Sequence, residues 1–247
     1  MPGSAAAALG RDARDDFDAE DWLFRTRFAA GAAAPGEEVV LHLDGIATVA
    51  EVWLNGERIL ASDSMFAAHA IDVGALLRGD NELEIRCAAL GPLLDAPRKP
   101  RARWRTRIVP NGALRFFRTS IFGRAPGFAP GPAPVGPWRP VWLERRRHVA
   151  VDELVLLPRI DGDDGVLAVR GRVRELGGYV PDDVVVVELS GPSGPHRARL
   201  PVARDGAFDG ELRVPAVARW WPHTHGEPVL HDVRVRSGDV DVATKRV

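Results

Sequence analysis

His223 and His225 stand two positions apart, and two imidazoles on one face of a strand could chelate a metal ion. His231 and Asp232 lie close in sequence, but no third ligand has recognisable metal-site spacing. These histidines read as ordinary polar or turn residues, and neither a metal nor any other cofactor is expected. Cys87 is the only cysteine. With Arg86 as its one charged neighbour and no histidine near, it reads as a small buried apolar side chain and not as a nucleophile. A third chemistry is cationic: Arg98, Lys99, Arg101, Arg103, Arg105, Arg107, Arg115 and Arg118 form an acid-free run with Trp104 among them. Such a run could neutralise phosphates and stack on bases. The cluster is local, however, and the whole chain carries a net charge of -1, so nucleic acid is not an expected partner. Trp53, Trp138, Trp142, Trp220 and Trp221 could form a stacking platform for a sugar, although each sits in or beside a strand pattern where an indole more often packs.

The elements that must position these residues are short strands. From Trp22 to Phe28 the residues alternate with period 2 after Leu23, and Val39 to Leu43 follows a Pro-Gly turn at 35 and 36. Val49 to Leu60 reads as a hairpin, because Asn55 and Gly56 both tolerate the positive φ of a type I′ turn. Asn81 to Cys87 alternates again, and strands are predicted over Arg115 to Phe122 and Trp138 to Arg145. Beyond a polar break at Arg145 to His148, the strand candidates are 154–157, 166–173, 184–189, 207–214 and 229–235, joined by Gly-, Pro- and Asp-rich turns. The fold class is therefore all-β, with one domain over residues 1–148 and a second over 149–247.

Bulk composition bounds the rest. A chain of 247 residues can bury a core without disulfide staples, and its single cysteine excludes a disulfide scaffold. No apolar run approaches the ~20 residues needed to span a bilayer, and the short Ala5–Leu9 run is followed at once by acids, unlike a signal peptide. No membrane partner is expected, and the expected location is cytoplasmic. Only Lys99 and Lys245 among the 33 basic residues are lysines, which reads as coding bias and not as a functional signal.

Several segments in order resemble one family. Asp21-Trp22-Leu23-Phe24-Arg25-Thr26-Arg27-Phe28, the Leu43 to Gly56 hairpin segment, Ser64-Met65-Phe66, Gly79-Asp80-Asn81-Glu82-Leu83 and Gly136-Pro137-Trp138-Arg139-Pro140-Val141-Trp142-Leu143-Glu144 are similar to the front of glycoside hydrolase family 2, and to its β-mannosidases above all. Arg219-Trp220-Trp221-Pro222 through Pro228 resembles a segment near the end of that family's immunoglobulin-like domain. The resemblance implies a jelly-roll, galactose-binding-like sandwich followed by an immunoglobulin-like one. It also implies that Met1 to Ser4 matches an internal turn after an opening strand, and that Lys245 to Val247 leads toward a catalytic barrel.

The implied function is that of the non-catalytic N-terminal part of a β-mannosidase-like enzyme, with carbohydrate and a catalytic barrel domain as partners. No catalytic residue is nominated, and the chain alone is expected to be inactive. The loop before Trp138 lies near the active site in relatives, so Arg115, Arg118, Arg124, Phe128 and Trp138 are the candidate substrate-proximal residues. One departure stands out. Related mannosidases place a Trp-Asp-Trp element in this loop, whereas here residues 96–151 contain no Asp and Glu144 is the only acid. Two alternatives remain open: a free-standing carbohydrate-binding module, or a structural domain that completes a barrel from another chain.

Overall fold

The computed structural model describes residues 3–10, 16–96, 106–179 and 182–247. Its Cα packing divides the chain into one unit of Met1–Ala33 and Glu38–Arg145, and another of Ala34–Glu37 and Arg146–Val247. Residues 98–105 of the basic run, Trp104 among them, lie outside the described residues. Among the described residues no helix is long and apolar enough to cross a membrane.

In order, the first part of the chain contains α1 (Ala5–Leu9), β1 (Trp22–Ala29), β2 (Glu37–Leu43), β3 (Ile46–Ala47), β4 (Ala50–Leu54), β5 (Glu57–Ser62), β6 (His69–Asp72), β7 (Asp80–Cys87), α2 (Leu90–Asp95), β8 (Gly136–Pro137) and β9 (Val141–Arg147). One sheet has the order β1-β7-β4-β5, a second β6-β2-β9, and β3 pairs with β8. The period-2 reading holds because alternate side chains face opposite ways. Trp22, Phe24 and Phe28 pack toward a core of Leu43, Val52, Leu54, Leu83 and Ile85, while Arg25 and Arg27 face outward and meet Glu84 and Glu82 directly across the β1–β7 ladder.

The Asn55-Gly56 turn forms as expected, with φ of 53° and 86° at its two central residues. Asn55 does more than turn the chain. Its amide donates to the Leu76 carbonyl (2.8 Å) and to Asn81 Oδ1 (2.9 Å), and its own Oδ1 accepts the Glu82 amide (2.9 Å). Asn81, only 2% exposed, donates in turn to the Ala30 and Arg78 carbonyls and accepts the Arg78 amide. Buried amides persist only when so satisfied.

The predicted strand over Arg115 to Phe122 does not exist. Gly112–Phe116 is instead a 3-10 turn, capped by Asn111 Oδ1 accepting the Ala113 amide and anchored by buried Leu114. From Phe117 to Phe122 the chain makes one isolated bridge, Ser64 to Arg118. A local Asn cap outcompetes a strand that has no edge to join. Likewise, the last long strand starts at Val141 and not at Trp138, since the bend at Arg139-Pro140 interrupts the ladder where proline has no N–H.

The second part holds β10 (Val149–Asp161), β11 (Asp164–Glu175), β12 (Val184–Ser190), β13 (His196–Pro201), β14 (Ala207–Val214), β15 (Asp232–Ser237) and β16 (Val240–Arg246). They form a β10-β11-β14 sheet and a β13-β12-β15-β16 sheet around Leu167, Val169, Val185, Val187, Phe208 and Val235. This is the immunoglobulin-like sandwich. Strands β13 and β16 lie outside the sequence-predicted set. Both are edge strands loaded with charge, which protects an open edge but hides the strand signal.

Several surface carboxylates are held below their ordinary range. Asp21 is lowered first by the Ala89 amide and then by Arg86, Glu82 by Arg27, and Asp161 by Arg213. A carboxylate depressed in the folded state contributes stability that is complete above its unfolded pKa and is lost as pH falls through the folded one. The melting temperature should therefore fall as pH drops below about 4, the ordinary carboxylate range, and raised salt should blunt the change. Separately, Asn81→Ala should cost about 2–4 kcal/mol in urea denaturation, because it removes the shared partner of Ala30, Asn55 and Arg78 on three segments.

Candidate functional site

The candidate site is built on Met65. After β5 the chain crosses toward the long loop, where the Met65 amide donates to the Arg118 carbonyl (3.0 Å). The Met65 carbonyl accepts Trp138 Nε1–H at 2.7 Å, and its buried sulfur accepts the Ser120 amide at 3.0 Å. Thr119 Oγ1 shares a hydrogen bond with Thr48 Oγ1 (2.5 Å). Gly45 makes room for this junction, since a Cβ there would lie 2.8 Å from Trp138 Nε1 and 2.9 Å from the Met65 carbonyl oxygen.

On the outer side of this junction the side chains are aromatic and cationic. Phe66, 47% exposed, meets the half-buried Trp138 ring edge to face, with centroids 6.2 Å apart and planes at 85°. The Arg139 guanidinium carbon sits 4.3 Å from the Trp138 ring centroid. Arg118 is exposed beside Ser64, and exposed Arg115 lies 4.9 Å over the Phe116 ring. Guanidinium groups stacked on rings keep their in-plane donors available. The corner thus presents ring faces and guanidinium N–H donors to solvent.

The structure thus brings Trp138 and Arg118 together around Met65, with Arg115 on the 3-10 turn that leads to them. It does not bring Arg124 to a ligand surface. The Arg124 side chain is 6% exposed and forks onto Asp18, with Nε 2.6 Å from Oδ2 and Nη2 2.7 Å from Oδ1. Its Nη1 donates to the Ser120 carbonyl and to Thr119 Oγ1. With four hydrogen bonds directed inward, Arg124 is a strut of the loop. Phe128 is 67% exposed on a separate turn, where Gly123, at a φ of 73°, approaches Ala133 too closely for any Cβ. Sequence reasoning passed over Phe66 and Arg139, although both lie in motifs already singled out.

The other sequence candidates have plainer settings. His223 and His225 are exposed, and Thr224 Oγ1 lies 2.8 Å from His225 Nδ1. Among the described residues, no group of three His, Cys, Asp or Glu side chains could hold a metal ion. Cys87 is fully buried, and desolvation pushes its thiol up to about 12, so it stays protonated and inert. Trp142 stacks on His42 at 3.9 Å with planes 5° apart, and His42 Nε2 lies 2.9 Å from Glu144.

Comparison with known proteins agrees with this architecture. Residues 10–139 match the family described as the glycosyl hydrolase 2 galactose-binding domain-like domain. The chain belongs to that family. It is 28% identical over 223 residues to β-mannosidase B of Aspergillus terreus, covering 87% of this chain and 26% of that protein. With β-mannosidase B of Thermothelomyces thermophilus the figures are 29% over 236 residues, 92% and 27%. The chain therefore spans about a quarter of the length of the curated relatives it matches. Among solved structures, the β-D-mannosidase of Dictyoglomus thermophilum superposes with a TM-score of 0.66 at 22% identity, over 93% of this chain and 29% of that one. The FMN-binding β-glucuronidase of Facaelibacterium prausnitzii gives 0.64 at 19%, over 100% and 34%. Both share the fold.

The Asp18–Arg124 pair makes a clear prediction. Replacing one partner of a buried ion pair leaves the other charge uncompensated, so Asp18→Ala should cost about 3–5 kcal/mol in urea denaturation. Substituting exposed Arg115 by Ala should change stability by less than about 0.5 kcal/mol in the same experiment.

Proposed function

We propose that this chain is the non-catalytic N-terminal part of a β-mannosidase-like glycoside hydrolase. In this reading its first unit lends the Met65 corner to saccharide binding, while a catalytic barrel domain supplies the acid and nucleophile. The observation that supports it best is the match over residues 10–139 together with relatives called β-mannosidase that are about four times longer. The exposed Phe66, Phe122 and Phe128 are apolar surface suited to a sugar face or to a packed neighbour. Carbohydrate and the barrel domain are the proposed partners. A cytoplasmic location belongs to the same reading, in which the lone Cys87 remains a free thiol.

The purified chain should not hydrolyse nitrophenyl β-mannoside, β-galactoside or β-glucuronide, because retaining cleavage needs two carboxylates about 5–5.5 Å apart across the bond. Turnover that vanished on substituting a single Asp or Glu would overturn this reading. A separately expressed barrel domain of a mannosidase relative should bind the chain in analytical ultracentrifugation. Retention of sugars on a glycan array without any such binding would favour a free-standing module instead.

A further inference from the structure

The chain contains no glutamine, and its carboxamide side chains are those of Asn55, Asn81 and Asn111. Asn55 and Asn111 each precede a glycine. An Asn-Gly step can react with itself, because glycine has no Cβ to shield its nitrogen from the neighbouring carboxamide carbon. The two steps sit in unlike settings. Asn55 is half-buried, and its carboxamide is bonded to Leu76, Asn81 and Glu82, all outside its own turn. Rotating it onto the Gly56 nitrogen sacrifices these bonds.

Asn111 is tied more lightly. Its Oδ1 accepts the Ala113 amide at 3.0 Å, and its Nδ2 donates to Asp95 Oδ1 at 3.1 Å across an exposed contact. The Gly112 amide, first in the 3-10 turn, has no backbone partner among the described residues. The Ala113 N–H also suits the reaction. Attack on Cγ moves negative charge onto Oδ1, the atom this N–H already meets, so the bond strengthens as the charge develops.

We propose that Asn111 is a site of spontaneous modification, converted to aspartate and isoaspartate, and that the fold spares Asn55. The Gly112 nitrogen loses its proton to water and forms a bond to Cγ of Asn111. The Cγ–Nδ2 bond breaks, and the nitrogen leaves as ammonia with a proton returned by water. A five-membered succinimide remains, and a further water opens it at either carbonyl. The product alters the local structure. A carboxylate at position 111 faces Asp95, so two like charges stand where a hydrogen bond joined α2 to the 3-10 turn. It also places an acid in residues 96–143, which otherwise have none.

The test incubates the whole chain, folded and in concentrated urea, and follows both sites by mass spectrometry of tryptic peptides. Peptide 108–115 reports Asn111 and peptide 28–58 reports Asn55. In the folded chain Asn111 should convert at least about tenfold faster than Asn55, whose hydrogen bonds must break first. In urea the two rates should converge. Gly112→Ala should slow conversion at Asn111 severalfold. Asn111→Asp, made directly, should speed amide hydrogen exchange over residues 90–96 and 112–117 by a factor of about three, the worth of an exposed pair. Adding Asp95→Asn should reverse that change, since donor and acceptor are then exchanged across the contact.

Equal rates in the folded chain, or a faster Asn55, would overturn the proposal. So would an Asn111 that converts only in urea, because the fold would then protect both sites. Hydrogen exchange unmoved by Asn111→Asp would overturn the structural consequence. The wild-type rates decide the site even if a variant misfolds.

Discussion

The loop between residues 106 and 135 is anchored to the start of the first unit by a buried ion pair. It has no ladder of its own, and closing so long a segment costs entropy that local turns cannot repay. Arg124 and Asp18 close it across 106 positions of sequence. The Asp18 carbonyl also accepts the Gly91 amide, so a single residue ties the approach to β1, the start of α2 and the loop. Removing two charges from water is costly, and the fork geometry with its extra bonds to Ser120 and Thr119 is what offsets it. The Met65 corner inherits its geometry from that closure, because Thr119 and Ser120 touch Arg124 on one side and the Met65 sulfur on the other.

Much of the fold was legible because strands with one face in a core announce themselves by period 2. Phe24, Thr26 and Phe28 alternate with Arg25 and Arg27, and the Asn55-Gly56 hairpin follows from two residues that accept positive φ. The edge strands β13 and β16 were illegible for the complementary reason: charge on an exposed edge masks the alternation. The region from Arg115 to Phe122 failed differently. Its composition suits a strand, but Asn111 captured the backbone locally and no sheet edge was left to receive it. Of the candidate site, Trp138 and Arg118 could be nominated from motifs. The inward turn of Arg124 could not be, since its partner is remote in sequence and nothing local marks it.

A division of labour follows from the acid-free composition of the loop. Strands carry their arginines beside glutamates and aspartates, as in the Arg25–Glu84 and Arg213–Asp161 pairs, which screen one another at the surface. The loop spends its only buried cation on architecture and leaves its exposed ones unscreened. Its charge is therefore available to whatever approaches, whereas the charge on the sheets is largely spent within the sheets.

Cys87 gives the molecule a private clock. It sits in β7, the strand that pairs with both β1 and β4, with its thiol sealed in the core and unreactive while the sheet is intact. As the chain's only sulfhydryl, it can meet a reagent in water only when the centre of that sheet comes apart. The pace at which a thiol reagent consumes it thus reports on the opening of the first sandwich, read from one atom and without a label.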